Sequence, residues 1–217
     1  MAVGIAYWIA YATPVFAVDD VRIQGAPPAL ERDVARATSD LVGQSLVSID
    51  AEEVEGSLRT IPAVAGVSVD RAFPSTLVVR IAPERPVAVI RRGTSAWLAT
   101  GAGKVIREIP RGTERGMPRL WVHRGTTIRV GGLIPAGLAP ATRALAEAHT
   151  AGIASRVKGV RITGEELTLV LRHGTEIRLG RAADVGMKLV IARKVLALVD
   201  SGVTYIDVSV PQRPVAG

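Results

Sequence analysis

The sequence predicts an α+β protein in three parts: an N-terminal transmembrane helix over 1–18, a small β-α-α-β-β domain over 19–86, and a mostly antiparallel β domain with helices over 87–217. Three observations lead there. The opening stretch carries no charged side chain. The next switches its apolar period from 2 to 3.6 and back to 2. From residue 87, short alternating runs separated by glycine turns frame two helical windows.

The opening stretch, MAVGIAYWIAYATPVFAV, would cover about 27 Å as a helix, close to the hydrocarbon thickness of a bilayer. Tyr7, Trp8 and Tyr11 are amphipathic aromatics of the kind found at membrane interfaces. One reading is an anchor whose cytoplasmic flank is short or lies outside this chain. Another is a cleaved secretory signal ending near Phe16-Ala17-Val18, although the positive region usual in such signals is lacking. Both put residues 19 onward outside the cytoplasm. A buried helix of a soluble protein is the third reading.

In the second part, Val21 and Ile23 alternate with Arg22 and Gln24 as a half-exposed strand that Gly25 ends. Leu30, Val34, Ala37 and Leu41 then fall on one face of a helix, with Pro28 near its start and Gly43 past its end. Asp50 is placed to cap a second helix, with Glu53 three residues on. Val54, Leu58 and Ile61 form its apolar stripe and Pro62 stops it. Gly56 inside this helix costs about 1 kcal/mol relative to Ala, so the helix leans on packing. Two strands follow. Val67 and Val69 face one way with Ser68 and Asp70 opposite. After the Pro74-Ser75 turn, Leu77, Val79 and Ile81 face one way with Val78 and Arg80 opposite. Two helices covering one face of three strands make a two-layer unit in which Leu30, Val34 and Leu41 meet Val67 and Leu77.

In the third part, PVAVIRRGTSAWLATGAGKVI reads as two or three short strands, and LWVHRGTTIRVGG adds more strand broken by glycines. Ala139 to Thr150 is alanine-rich and helical. Leu167, Leu169 and Leu171 alternate with Thr168, Val170 and Arg172, with His173-Gly174 as a hairpin turn. Val185, Leu189, Ala192, Leu196 and Val199 give the best helical register in the chain.

The chemistry this chain lacks narrows its function. The absence of cysteine removes disulfides, thiol nucleophiles and zinc–thiolate sites. A net charge of +7 comes from scattered residues with 4% aromatics, which does not describe a nucleic-acid surface. His123, His149 and His173 stand far apart and lack metal-ligand spacing. ATGAGKV holds Leu98 and Val105 where a phosphate loop needs Gly and Ser or Thr. The acidic pairs Asp19-Asp20, Glu52-Glu53 and Glu165-Glu166 lie in polar turns or at a helix start. No catalytic residue, cofactor site, metal site or small-molecule site is expected.

Four stretches carry a family resemblance: FAVDDVRIQGA; the segment with Gly43, Leu46, Ile49-Asp50, Pro62-x-Val64, Arg71-x-x-Pro74-x-x-Leu77 and ERPVA; EIRLG followed by Lys188; and the terminal YIDVSVPQRPVA. By these the chain resembles the FtsQ/DivIB family of bacterial cell-division proteins from about residue 5 onward, and the second stretch resembles that family's POTRA domain. The resemblance implies a single-pass type II protein of the cell membrane, anchored in lipid by 1–18, with its bulk outside the cytoplasm and no enzymatic activity. It implies a divisome scaffold holding FtsL and FtsB/DivIC-type coiled-coil partners by the C-terminal strand, with the POTRA side contributing to septal recruitment. Two other readings compete. A POTRA-bearing translocation component would carry tandem POTRA units ahead of a barrel, and a cell-wall hydrolase would need a nucleophile or metal constellation.

The terminal stretch supplies the expected binding residues: Thr204, Tyr205, Ile206, Asp207, Val208, Ser209 and Val210. Read as one strand, Thr204, Ile206, Val208 and Val210 face one way and Tyr205, Asp207 and Ser209 the other. As the last strand it would form an open sheet edge able to take a partner strand, with Pro211 and Pro214 preventing pairing further along.

Overall fold

The computed structural model describes residues 16–199 and 202–217. Most of the predicted anchor, residues 1–15, lies outside the described residues. Among those described, no helix is long and apolar enough to cross a membrane. The described chain divides into two units, one ending at Glu84 and one beginning at Arg85.

The first unit contains β1 (Asp20–Gln24), α1 (Pro28–Ala37), α2 (Ala51–Arg59), β2 (Val64–Ala72) and β3 (Thr76–Pro83), the expected β-α-α-β-β order. Its sheet runs β1-β3-β2. β1 lies parallel to β3, with Val21 opposite Leu77, and β2 lies antiparallel, with Val69 opposite Val79. The helices cover the face carrying Val69, Leu77, Val79 and Ile81, where Leu30, Val34, Leu46 and Leu58 are buried with them. Burying each such side chain contributes about 1.5–3 kcal/mol. Asp50 caps α2 as its spacing predicts, its carboxylate accepting the Glu52 N–H at 2.9 Å. Gly25 ends β1 because its φ is +81° and a Cβ there would sit 2.4 Å from the Ile81 carbonyl oxygen.

Two expectations change here. The first helix was expected to run through Leu41, but α1 stops at Ala37. Thr38 turns its hydroxyl back onto the Val34 carbonyl at 3.0 Å, and Leu41 sits half-buried in a separate 3₁₀ turn. The anchor was expected to include Phe16 to Val18, but these residues belong to the folded unit. The Phe16 carbonyl accepts from Leu46, the Val18 N–H donates to Gln44, and Val18 is 1% exposed within the core.

The second unit contains β4 (Pro86–Arg92), β5 (Ser95–Thr100), β6 (Val105–Ile109), β7 (Arg119–Trp121), α3 (Ala139–Thr150), β8 (Val157–Thr163), β9 (Glu166–Leu171), β10 (Glu176–Arg181), α4 (Val185–Leu196), β11 (Tyr205–Asp207) and β12 (Val215–Ala216). These strands form one sheet of nine in the order β12-β11-β10-β9-β8-β7-β4-β5-β6. Five of its pairings are antiparallel. The exceptions are β10 with β11, β7 with β8, and β4 with β7. α3 and α4 pack on one face, where Leu145, Leu169, Ile177, Leu189 and Ile206 are fully buried. Alanines 141, 144 and 148 let α3 approach that core closely. After Trp121 the expected strand does not form: the Thr126 N–H donates to His123 in a tight turn, and Ile128 and Ile134 reach the core from irregular chain.

Candidate partner-binding edge

The terminal segment is built from β10 outward. β10 carries a register irregularity between Arg178 and Gly180, where it pairs with β9. Gly180 adopts φ +62°, and a Cβ there would lie 2.9 Å from the Ser209 Cβ, so glycine both permits the backbone turn and admits the neighbouring chain. Lys188, buried on α4, secures this point. Its Nζ donates to the Leu179 carbonyl at 2.8 Å and to the Arg181 carbonyl at 3.0 Å, on either side of Gly180.

Against β10, β11 runs parallel, with Tyr205 opposite Glu176, Ile206 opposite Ile177 and Asp207 opposite Arg178. Ile206 and Val208 are fully buried, as the alternation predicts. Thr204 and Val210, assigned to the same face, are exposed instead. The strand ends at Asp207, whose Oδ1 accepts the Ser209 N–H at 2.9 Å and the Ser209 hydroxyl at 2.6 Å, turning the chain out of the sheet. The Val208 N–H still donates to the Arg178 carbonyl at 2.9 Å. The Arg178 guanidinium covers the Tyr205 ring at 4.1 Å from its centroid.

The open edge was expected on Thr204 to Val210, and the structure corrects this. After a turn closed by Arg213 N–H donating to Val210, the chain returns as β12 and pairs antiparallel with β11, Ala216 opposite Ile206 and Val215 opposite Asp207. The Gly217 carbonyl accepts the N–H groups of Thr204 and Tyr205 at 2.7 and 2.9 Å, and the Gly217 N–H donates to Tyr205 at 3.1 Å. β11 is therefore flanked on both sides, and β12 forms the edge. Sequence reasoning singled out EIRLG and Lys188 only as carriers of the family resemblance and gave neither Gly180 nor Lys188 a part in this site. The available signal was that Lys188 falls three residues after Val185, on the apolar stripe of its helix.

The histidines sit elsewhere and are exposed, with His123 Nδ1 accepting the Gly125 N–H at 3.2 Å and His173 Nδ1 lying 3.1 Å from the Thr175 hydroxyl. Among the described residues, no group of His, Cys, Asp or Glu is arranged to hold a metal ion.

The model for the family described as POTRA domain, FtsQ-type, matches residues 16–82, the whole of the first unit's sheet and helices up to Ala82. Residues 16–82 are similar to the FtsQ-type POTRA domain. Along nearly its whole length the chain is similar to cell-division proteins. It is 27% identical to the cell division protein FtsQ of Streptomyces collinus, over 95% of this chain and 80% of that protein. It is 25% identical to FtsQ of Anaeromyxobacter sp. (strain K), over 92% of this chain and 69% of that protein. It is also 25% identical to FtsQ of Streptomyces venezuelae, over 95% and 76%.

Proposed function

We propose that this chain is a single-pass scaffold of the bacterial divisome, anchored by its apolar N-terminal stretch, that holds FtsL and FtsB/DivIC-type partners at the β12 end of its large sheet outside the cytoplasm. The similarity to FtsQ cell-division proteins over most of the chain supports the divisome role. The observation that carries the binding reading is the geometry of β12. Tyr205 and Gly217 exchange both backbone bonds, so the adjacent Ile206–Ala216 pair is of the non-bonded kind, and Ala216 turns its N–H and C=O to the open side. Pro214, the next residue facing that side, has no N–H to give. The edge is thus too short and poor in donors for indiscriminate pairing, yet it offers one register in which a partner strand can add. Tyr205, Asp207 and Val215 present side chains on the face beside it.

The test is Ala216→Pro in the full chain, read by co-purification of the coiled-coil partners from membranes. Ala216's N–H is not used within the sheet, so the variant is expected to melt like the parent and to lose its partners. A folded Ala216→Pro chain that keeps them places the docking strand elsewhere and refutes strand addition at β12. Depletion is expected to give filamentous cells; loss of outer-membrane assembly without filamentation would replace this reading with the translocation one.

A further inference from the structure

The large sheet is incomplete at a second place, far along it from β12. β7 and β8 are neighbours but share one register pair, Arg119 with Gly159. That pair is a pinch point, since a Cβ on Gly159 would sit 2.8 Å from the Arg119 carbonyl oxygen. β8 then continues through Val160 to Thr163 paired with β9 on one side, and among the described residues no strand pairs with it on the other. β7 meanwhile runs on against β4, with Trp121 opposite Arg91. A concavity of about 370 Å³ lies where the pairing stops, lined by Arg119, Trp121, Lys158, Gly159, Arg161 and Val170.

The charge here is unbalanced. Arg91 is 7% exposed, its Nε has no hydrogen-bond partner, and its guanidinium lies 5.7 Å from the centroid of the Trp121 ring. The Nε of Arg119 is likewise buried and unpartnered. Arg161 is engaged by Glu176 at 2.8 Å, whereas Arg91, Arg119 and Lys158 have no carboxylate within ion-pair distance among the described residues. Trp121 leaves 65% of its surface in solvent, an apolar platform beside the cations.

We propose that the opening between β7 and β8 binds an extended acidic segment of a partner protein. A strand side without a neighbour calls for peptide amides in extended register, which a glycan or nucleic acid cannot supply. The uncompensated Arg119 and Lys158, which line the concavity, call for carboxylates on that segment. Trp121 and Val170 receive the apolar side chains that alternate with them. This surface is independent of β12 and takes a second binding segment.

A fluorescein-labelled octapeptide of alternating Glu and Val, titrated against the full chain by anisotropy, tests the proposal. Saturable binding is expected, weakened by salt. Lys158→Glu alters an exposed side chain, so the variant is expected to melt like the parent and to bind about tenfold more weakly, with Trp121→Ala weakened to a similar degree. The peptide with alternate amides N-methylated keeps its charge and is expected not to bind. Ala216→Pro is expected to leave this binding unchanged. Absence of saturable binding overturns the proposal. So does equal binding by the N-methylated peptide or equal competition by heparin, either of which reduces the effect to charge attraction. Loss of binding in Ala216→Pro would assign the peptide to β12 and also overturn it.

Discussion

Lys188 shows how much one side chain can set. Its buried ammonium satisfies the Leu179 and Arg181 carbonyls on either side of Gly180, where the register of β10 against β9 shifts. Lys188→Met keeps most of the aliphatic stem and strands those carbonyls, so it is expected to cost about 1–3 kcal/mol in urea denaturation of the full chain. Gly180→Ala is expected to cost about 1–3 kcal/mol through its left-handed φ and the contact with Ser209. Adding Ser209→Gly should recover only the contact share, which a double-mutant cycle measures. Neither role was legible from pattern alone. A lysine on an apolar stripe reads as a solvated residue at the stripe's margin, and a glycine inside EIRLG reads as the strand's end. The bonds that define them come from elements distant in sequence.

Elements were legible where one period ran long enough. α3 and the strands of the leucine hairpin lie where their periods place them, while α2 stops at Arg59 short of Ile61 and α4 at Leu196 short of Val199, the last residues of their expected stripes. α1 was read too long, since Leu41 stays in phase with Leu30 and Val34 even after the Thr38 hydroxyl has closed the helix. Val34 is fully buried, and Val34→Ala is expected to cost about 2–4 kcal/mol by denaturant unfolding. Leu41→Ala, at a half-buried site, is expected to cost less than Val34→Ala in the same measurement. The terminal strand was read too long for a similar reason. YIDVSV alternates cleanly, but Asp207 captures the Ser209 N–H and ends the ladder. β12, with two residues, is too short to leave any periodic trace.

At the scale of the whole chain, the membrane question meets the fold at Val18. A signal cut after Val18 would remove a side chain that is 1% exposed in the core of the first unit, together with the backbone bonds that tie Phe16 and Val18 to Leu46, Gln44 and Gly43. A chain beginning at Asp19 is therefore expected to melt below one beginning at Phe16, measured by calorimetry on the two purified forms. In cells, the chain is expected to stay with membranes through high-salt and carbonate washing, because apolar burial is insensitive to salt. Recovery of a trimmed chain in the soluble fraction would favour the cleaved signal. The parallel pairing of β10 with β11 has a consequence of another kind. Parallel neighbours need a crossover, and here the crossover runs through α4, so β11 and, beyond it, β12 are pairings between segments distant along the chain. A copy whose second unit is half-folded or damaged has no finished strand to offer. If the proposed docking at β12 holds, it doubles as an inspection step, since only copies with a finished sheet edge can engage a partner there.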